Sequence, residues 1–190
     1  CFGQLRKGKP QDIQNAGLPT TIVAQAQDDH GEKLSSSRIR QFLQAGDIAA
    51  ANNLLGWDWE IWGSVIKGDR RGHDLGYPTA NMDLGDTLHP AYGIYAAQVL
   101  VEGEGNWRGA AVNIGIRPMF EVKHAQLEAH IFDFNKEIYN QRLRVRLVKR
   151  LRGEAKFESL DELKNQMARD CAQAKEILEK CNDAAMLINK

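Results

Sequence analysis

From residue 59 onward the chain is divided into short strand-like runs, and this pattern limits the fold more than any other feature. Clusters of Gly, Pro, Asn and Asp separate the runs, as is typical of turns between β-strands. Six strands are predicted: Trp59–Lys67, Thr79–Met82, Ile94–Glu102, Trp107–Ile114, Gln126–Phe134 and Leu143–Lys149. Six short strands at this spacing favour a mainly β domain, either a small closed barrel or a sandwich.

Helical patterns flank these strands. Ser159, with Glu162 three residues later, forms a capping box for a C-terminal helix predicted over 157–182. Apolar residues recur along this helix at helical spacing, so it should pack on the β domain. Upstream, Thr20–Ala26 predicts one strand, followed by helices from 35–37 to about Ala45 and from Asp47 to Leu55.

The loop between the first two predicted strands is rich in Gly and Arg and has the sequence GDRRGHDLG. Gly68, Gly72 and Gly76 permit close approach of the backbone to an anion, and Arg70 and Arg71 add positive charge. This composition is compatible with a site for nucleotide phosphates. A solvated turn is the alternative interpretation of the same residues.

Two small oxygen ligands follow the loop. Thr79 and Asn81 lie two residues apart, so on a strand their hydroxyl and amide oxygens face the same side. Mg²⁺ takes few protein ligands beside a polyphosphate, so the pair is a candidate Mg²⁺ site. Local capping or pairing near a strand start is the alternative. Pro78, which has no N–H, suits the first residue of an edge strand.

The run from Gly63 to Asn81, GSVIKGDRRGHDLGYPTAN, resembles the signature of riboflavin kinases, including its PTAN tetrad. Further matches follow in order: Gly93–Tyr95, Asn113–Pro118, Leu127–His130 and the stretch Phe157–Leu160. The resemblance covers roughly residues 59–178. It implies the six-stranded Greek-key β-barrel of riboflavin kinases with a long C-terminal helix. It also implies an enzyme that transfers the γ-phosphoryl group of ATP to the 5′-hydroxyl of riboflavin and produces FMN.

The resemblance further implies how the nucleotide is held. The glycine loop would fold over ATP, while Thr79 and Asn81 would hold Mg²⁺ against its phosphates. The segment Asn113–Phe120 is expected to be a shaped loop whose Arg117 meets the flavin side. The residues implied for nucleotide and cofactor binding are Lys67, Gly68, Arg70, Gly72, Gly76, Thr79, Asn81 and Arg117.

A carboxylate for the reaction is expected on the fifth strand. Alternation from Gln126 to Ile131 places Glu128 and His130 on one face, opposite Leu127 and Ala129. The resemblance makes Glu128 the general base for the ribityl 5′-hydroxyl; otherwise it would be an ordinary glutamate on the solvent face. His130 could orient Glu128 or donate to substrate. The flavin candidates are Phe132, Tyr139 and the start of the C-terminal helix.

Residues 35–40, SSSRIR, resemble the last motif of the FMN adenylyltransferase half of bacterial bifunctional FAD synthetases. Helix capping is the alternative role of these serines. That half needs a His-x-Gly-His-type motif, and the five histidines include no such pair. Residues 1–56 are therefore expected to be an α/β remnant of that nucleotidyltransferase domain with a helical linker. Residues 57–182 would form the kinase domain, with the barrel over 57–152.

The amino-acid composition limits the class of protein, its location and its partners. The 25 basic and 25 acidic residues balance, which argues against a nucleic-acid-binding protein. Three cysteines without zinc spacing fit a reducing cytoplasm, and neither a signal peptide nor a membrane-spanning run is evident. The expected partners are therefore riboflavin and ATP, with no nucleic acid or membrane, and the sequence does not indicate an oligomeric state.

Two other functions compete with the kinase. A non-catalytic module that binds flavin or nucleotide could regulate or anchor the adenylyltransferase half. The presence of Thr79, Asn81 and Glu128 together favours the enzyme, because a site that has lost its catalytic activity does not need all three. A nucleic-acid-binding barrel of OB type would need a basic strand face with several aromatic residues, and the predicted strands offer little of that.

Overall fold

The computed structural model describes residues 5, 7–28, 30–68, 72, 75–119 and 122–188. The chain forms two compact units, Cys1–Ser35 and Ser36–Lys190. The larger unit contains all six strands, and no helix among the described residues is long and apolar enough to cross a bilayer.

The smaller unit has one short helix, α1 (Pro10–Asn15), which begins with the proline. The predicted strand Thr20–Ala26 is not found: within the described residues this segment joins no ladder. Just after it, Gln27 and Lys33 form a bridge around a turn in which the Asp28 carboxylate accepts from the Glu32 N–H. A β-branched run becomes a strand only where a neighbouring strand pairs with it.

The larger unit is built on a single antiparallel sheet that curves into a nearly closed barrel, as predicted. Its strands are β1 (Glu60–Ser64), β2 (Ala80–Asp83), β3 (Gly93–Val101), β4 (Arg108–Met119), β5 (Val122–Ile131) and β6 (Arg142–Arg152). The strand order is β1-β6-β3-β4-β5-β2. The two edge strands meet where the Ile66 N–H donates to the Asn81 carbonyl at 2.8 Å, beyond the end of β1.

Alternation along the strands fills the barrel. Tyr95, Val112 and Leu127 are fully buried, and their neighbours in sequence point to the outer face. Apolar residues from every strand line the interior, while Glu128 and His130 lie on the outside, as predicted.

The segment Asn113–Phe120 is not the shaped loop expected from the sequence. β4 continues through Met119 and pairs with β5 as far as Val122, so only residues 120–121, which lie outside the described residues, separate the two strands. The ladder to β3 ends at Ile114, so beyond it β4 pairs on one side alone. Pro118 is compatible with such an edge, because its missing N–H need not serve a second neighbour.

Two helices precede the barrel in the same compact unit: α2 (Ser36–Ala45) and α3 (Ile48–Leu55). The carboxylate of Asp47 caps α3 by accepting from the Ala50 N–H at 3.1 Å. Leu43 and Ile48 are buried in the same hydrophobic cluster as the barrel interior. The Leu43 carbonyl accepts from the Ala91 N–H at 2.9 Å, which fastens the helical pair to the segment before β3.

The C-terminal helix α4 (Leu160–Ile188) packs on the outside of the barrel. Ser159 caps it by accepting from the Glu162 N–H at 3.2 Å, while the Glu162 carboxylate accepts from Glu158 rather than from Ser159. A second apolar cluster joins Ala174 and Leu178 of the helix to small side chains on the outer face of β3 and β4. The small side chains let the helix approach closely.

Candidate active site

Three adjacent strands bring polar side chains into one row on the outer face of the barrel. Asn81 of β2 is directly opposite Glu128 of β5, which is in turn opposite Asn113 of β4. Directly opposed residues of antiparallel strands project to the same face, so the three side chains are neighbours. The sequence placed Glu128 and Asn81 here. The position of Asn113 beside them follows only from the register of β4 against β5.

Gly68 and Gly72, at the start and in the middle of the glycine loop, lie close to residues of β2 and of the segment before it. Asn81 is 7% exposed, and its amide N–H donates to the Thr79 carbonyl at 3.3 Å. A Cβ at Gly68 would overlap this amide, and a Cβ at Gly72 would overlap the Tyr77 carbonyl. Only glycine fits at either position without displacing its neighbour.

Gly68, Gly72 and the side chain of Asn81 form what we call the glycine cradle. One cavity, of about 350 Å³, lies beside it. Gly68, Thr79 and Asn81 line it on one side. The loop 134–139, which contains Lys136 and Tyr139, lines it on the other side. We call it the loop cavity. It combines the glycine backbone, small oxygen ligands and a lysine.

A second cavity, of about 410 Å³, lies between the outer sheet face and α4. We call it the helix cavity. Its apolar walls include Ile94, Phe157, Leu163 and Met167, and its polar lining includes Asn113, Glu128, His130, Arg152 and Asp170. Thr79 lines this cavity as well as the loop cavity. A group bound in one cavity can therefore come close to a group bound in the other.

A buried ion pair supports the wall of the helix cavity. Asp170 of α4 is 4% exposed, and the Arg152 guanidinium donates to both of its carboxylate oxygens at 2.7–3.1 Å. Gln166 donates to the same carboxylate at 2.9 Å. Next to it, burial and the charge of Asp170 raise the pKa of the Cys171 thiol to about 11. The thiol is therefore neutral near pH 7.

His130 makes a hydrogen bond that the sequence did not predict. Its Nδ1 lies 2.9 Å from the Pro78 carbonyl oxygen. Its ring makes edge contacts with Tyr77 at 5.3 Å and with Phe132 at 5.8 Å between centroids. The imidazole thus contacts the segment leading into β2.

The structure describes the remaining predicted residues only in part. Lys67 is exposed, and Gly76 is exposed with a φ of 86°, a left-handed conformation that favours glycine. Arg70 lies outside the described residues. Arg117 lies in β4 and its backbone pairs with that of His124 in β5, but its side chain lies outside the description.

The flavin candidates are also separated. Tyr139 lines the loop cavity, the start of α4 lines the helix cavity, and Phe132 packs in the cluster beneath α4. The sequence did not distinguish these positions, which all follow Glu128 in the chain but lie on different elements.

The oxygen ligands suit a hard cation. In the described part of the chain, no three His, Cys, Asp or Glu side chains cluster as a metal site. Thr79 and Asn81 instead offer a hydroxyl and an amide oxygen at the glycine cradle, with the Glu128 carboxylate across from Asn81. Mg²⁺ prefers such oxygen ligands and completes its shell with phosphate and water, so these residues fit the ion.

Comparison with known proteins shows which family the chain resembles over most of its length. The riboflavin kinase (flavokinase) family pattern matches residues 55–178. The bifunctional riboflavin kinase/FMN adenylyltransferase of Escherichia coli strain K12 is 39% identical over 178 residues, which cover 92% of this chain and 56% of that protein. The Bacillus subtilis protein of the same name is 38% identical over 181 residues, with 91% and 56% covered. The chain thus spans little more than half the length of these relatives.

A solved structure is also similar. A Streptococcus pneumoniae protein described as a macrolide-efflux protein superposes with a TM-score of 0.78 at 34% sequence identity. The match covers 89% of this chain and 55% of that one.

Proposed function

The chain belongs to the riboflavin kinase family, and on this premise we propose that it transfers the γ-phosphoryl group of ATP to the 5′-hydroxyl of riboflavin, giving FMN and ADP. The observation that carries the proposal is the meeting of the two cavities at Thr79, which lines the helix cavity together with Glu128. A kinase needs two substrates side by side with a carboxylate near their junction.

The loop cavity is the proposed nucleotide site. Glycine N–H groups and a lysine suit a polyphosphate, and Thr79 and Asn81 would hold Mg²⁺ against it. When bound, the ion would neutralise charge on the transferring phosphoryl group. Gly68 and Gly72 keep the backbone close to Asn81 and Thr79, which supports a nucleotide held by the loop.

The helix cavity is the proposed flavin site. An isoalloxazine ring requires an apolar slot with a few polar groups at its rim. The side chains of Ile94, Leu163 and Met167 supply the slot, and Asn113 and Arg152 are at the polar rim. Riboflavin bound here would direct its ribityl chain toward Glu128 and the junction at Thr79.

Glu128 is the proposed general base. Its carboxylate would accept the proton of the 5′-hydroxyl as that oxygen bonds to the γ-phosphorus, while the bond from the γ-phosphorus to the ADP oxygen breaks. Its fixed place between Asn81 and Asn113 supports this role, because the strand register limits where the carboxylate can move.

The test is to incubate the chain with riboflavin, ATP and Mg²⁺ and to separate the flavins by chromatography. We expect FMN. Glu128→Gln should lower kcat by about 10² to 10⁴-fold with riboflavin and ADP affinities unchanged, since it removes the base but keeps the shape. Glu179→Gln, at an exposed position on α4, is the matched control.

Two results would contradict parts of the proposal. Unaltered turnover in Glu128→Gln would reject the base. Tight binding of riboflavin or ATP without FMN would instead support the non-catalytic binding module, which the family relationship does not favour.

The wider setting is also proposed. The relatives are named for a second activity, FMN adenylyltransferase, and we propose that this chain works within such a bifunctional protein in the cytoplasm. In that arrangement residues 1–56 would belong to the adenylyltransferase half and its linker, and residues 57–182 to the kinase.

A further inference from the structure

His130 joins two parts of the site that the backbone leaves separate. Its Nδ1 lies 2.9 Å from the carbonyl oxygen of Pro78, a residue 52 positions earlier in the chain. A carbonyl oxygen can only accept, so Nδ1 carries the proton and donates. The bond therefore defines the tautomer of the neutral ring, with the proton on Nδ1.

This hydrogen bond lies just beyond the end of the ladder between β2 and β5. β2 pairs with β5 only from Ala80, opposite Ala129, to Asp83. Pro78 has no N–H with which to extend the ladder. The His130 side chain supplies a hydrogen bond in its place, and the edge contact of its ring with Tyr77 adds a second attachment.

The attached segment leads directly to the junction of the cavities. Thr79 follows Pro78 and lines both cavities. The Tyr77 N–H donates to the Gly72 carbonyl at 2.7 Å, so the same segment is also attached to Gly72. His130 itself lies two residues after Glu128 on the same strand face.

We propose that His130 is a positioning residue for phosphoryl transfer: its hydrogen bond to Pro78 holds Thr79 and Gly72 in place relative to Glu128. This inference rests on the proposed function. It assigns His130 an effect on the nucleotide side of the reaction, although the residue lines the proposed flavin cavity.

Two substitutions separate the hydrogen bond from the ring contacts. His130→Asn keeps an N–H donor near the place of Nδ1 but loses the ring. His130→Phe keeps a ring against Tyr77 and Phe132 but loses the donor. Steady-state kinetics in both substrates, the Kd of riboflavin from flavin fluorescence and thermal melting should be measured for each variant.

We expect His130→Phe to lower kcat/KM for Mg·ATP by about tenfold to hundredfold, with a raised KM, because small displacements of reacting groups are this costly. The Kd of riboflavin should stay unchanged. His130→Asn should remain within about threefold of the wild type, because its amide can still donate to Pro78. A merely structural role would lower the melting temperature or the active fraction and leave KM for Mg·ATP unchanged.

An unchanged KM for Mg·ATP in His130→Phe, or equal impairment of the two variants, would overturn the proposal. The ring itself gives a test that needs neither activity nor a variant that folds. In a long-range ¹⁵N–¹H spectrum of the wild type, neutral His130 should be protonated at Nδ1, and protonation at Nε2 alone would overturn the proposal. A wild-type chain that makes no FMN would reject the proposed function, while the tautomer would still decide whether the bond exists.

Discussion

At the scale of single residues, Thr79 is the side chain on which the division of the site into two cavities depends. It belongs to the proposed Mg²⁺ pair, and it borders both the loop cavity and the helix cavity. The Thr79 side chain could therefore act in either of two ways: its hydroxyl could bind the metal ion, or the side chain could contact the flavin. Removing only the hydroxyl separates them.

Thr79→Val keeps the volume and branching of the side chain and removes the oxygen. We expect KM for Mg·ATP to rise about tenfold, as for the loss of one charge-assisted contact, with the Kd of riboflavin unchanged. Thr87→Val, in the turn after β2, is the control. Equal affinity for Mg·ATP in Thr79→Val, measured by titration calorimetry with a non-hydrolysable analogue, would reject the metal site.

Glu60 is the centre of a charged cluster on the opposite edge of the sheet. Its carboxylate accepts from Arg144 at 2.8 Å and from Arg146 at 2.7 Å, and these guanidinium groups stack on Trp62 and Trp107. These arginine side chains thus lie on the outer face of β6, and the two tryptophans add an aromatic component to the cluster. Burial by itself would raise the pKa of Glu60, but the hydrogen bonds from Arg144, Arg146 and Trp62 outweigh burial and lower its pKa.

A lowered pKa in the folded state makes the cluster stabilising only while Glu60 is ionised. Its contribution is present above the pKa of the unfolded chain and is lost as the pH falls through the folded-state pKa. Glu60→Gln should therefore lower the melting temperature at pH 7 by about 2 to 5 °C. The difference from the wild type should shrink below about pH 4. A difference that grows toward low pH would contradict the assignment, and Glu179→Gln should show no such profile.

At the scale of elements, Gly93 controls how β3 enters the barrel beside the end of β6. Its φ is 144°, and a Cβ there would overlap the carbonyl oxygen of Arg152. The backbones can approach only because this position has no side chain. The next residue, Ile94, and Arg152 both line the helix cavity, so this approach also shapes the proposed flavin site.

Gly93→Ala should destabilise the fold by about 3 kcal/mol, because it combines an unfavourable φ with a clash against backbone that cannot rotate away. Chemical denaturation measures the change in unfolding free energy. Gly105→Ala is the matched control, because nothing lies within 4 Å of the added Cβ and its φ is not positive. Equal stability of the two variants would show that the strands can separate at no cost.

At the scale of the whole molecule, the helical pair α2–α3 is packed as part of the barrel unit. Leu43, Ile48 and Ala51 are at most 2% exposed and share the barrel's hydrophobic cluster. A Cβ at Gly46 would overlap the side chain of Arg150, so the turn between the helices also lies against β6. Compact packing does not assign these residues to either half of a bifunctional protein, and their origin in an adenylyltransferase half stays a prediction.

A chain that begins at residue 57 should be less stable than one that begins at residue 36. Exposing the partners of Leu43 and Ile48 costs roughly 4 kcal/mol of hydrophobic burial, equivalent to a fall of about 10 °C in melting temperature. Calorimetry of both truncated chains, beside the full chain, measures the effect. Equal melting temperatures for the two truncated chains would mean that the helical pair does not stabilise the barrel.

The sequence by itself predicted the short strands and the C-terminal helix, and its resemblance to riboflavin kinases selected the barrel that the structure shows. Strand positions followed from short runs punctuated by turn residues, and the place of Glu128 on an outer face followed from period-two alternation. The C-terminal helix and its Ser159 cap followed from local capping chemistry. These features depend on neighbours within a few residues, so the sequence carries them.

The tertiary structure decided which distant residues meet. Strand register placed Asn113 beside Glu128, and pairing with β5 turned the expected loop at 113–119 into a strand. The same cause left Thr20–Ala26 outside any ladder among the described residues and directed His130 to Pro78. Each of these outcomes depends on hydrogen-bond partners that lie far away in the chain, and local propensity cannot select among such partners.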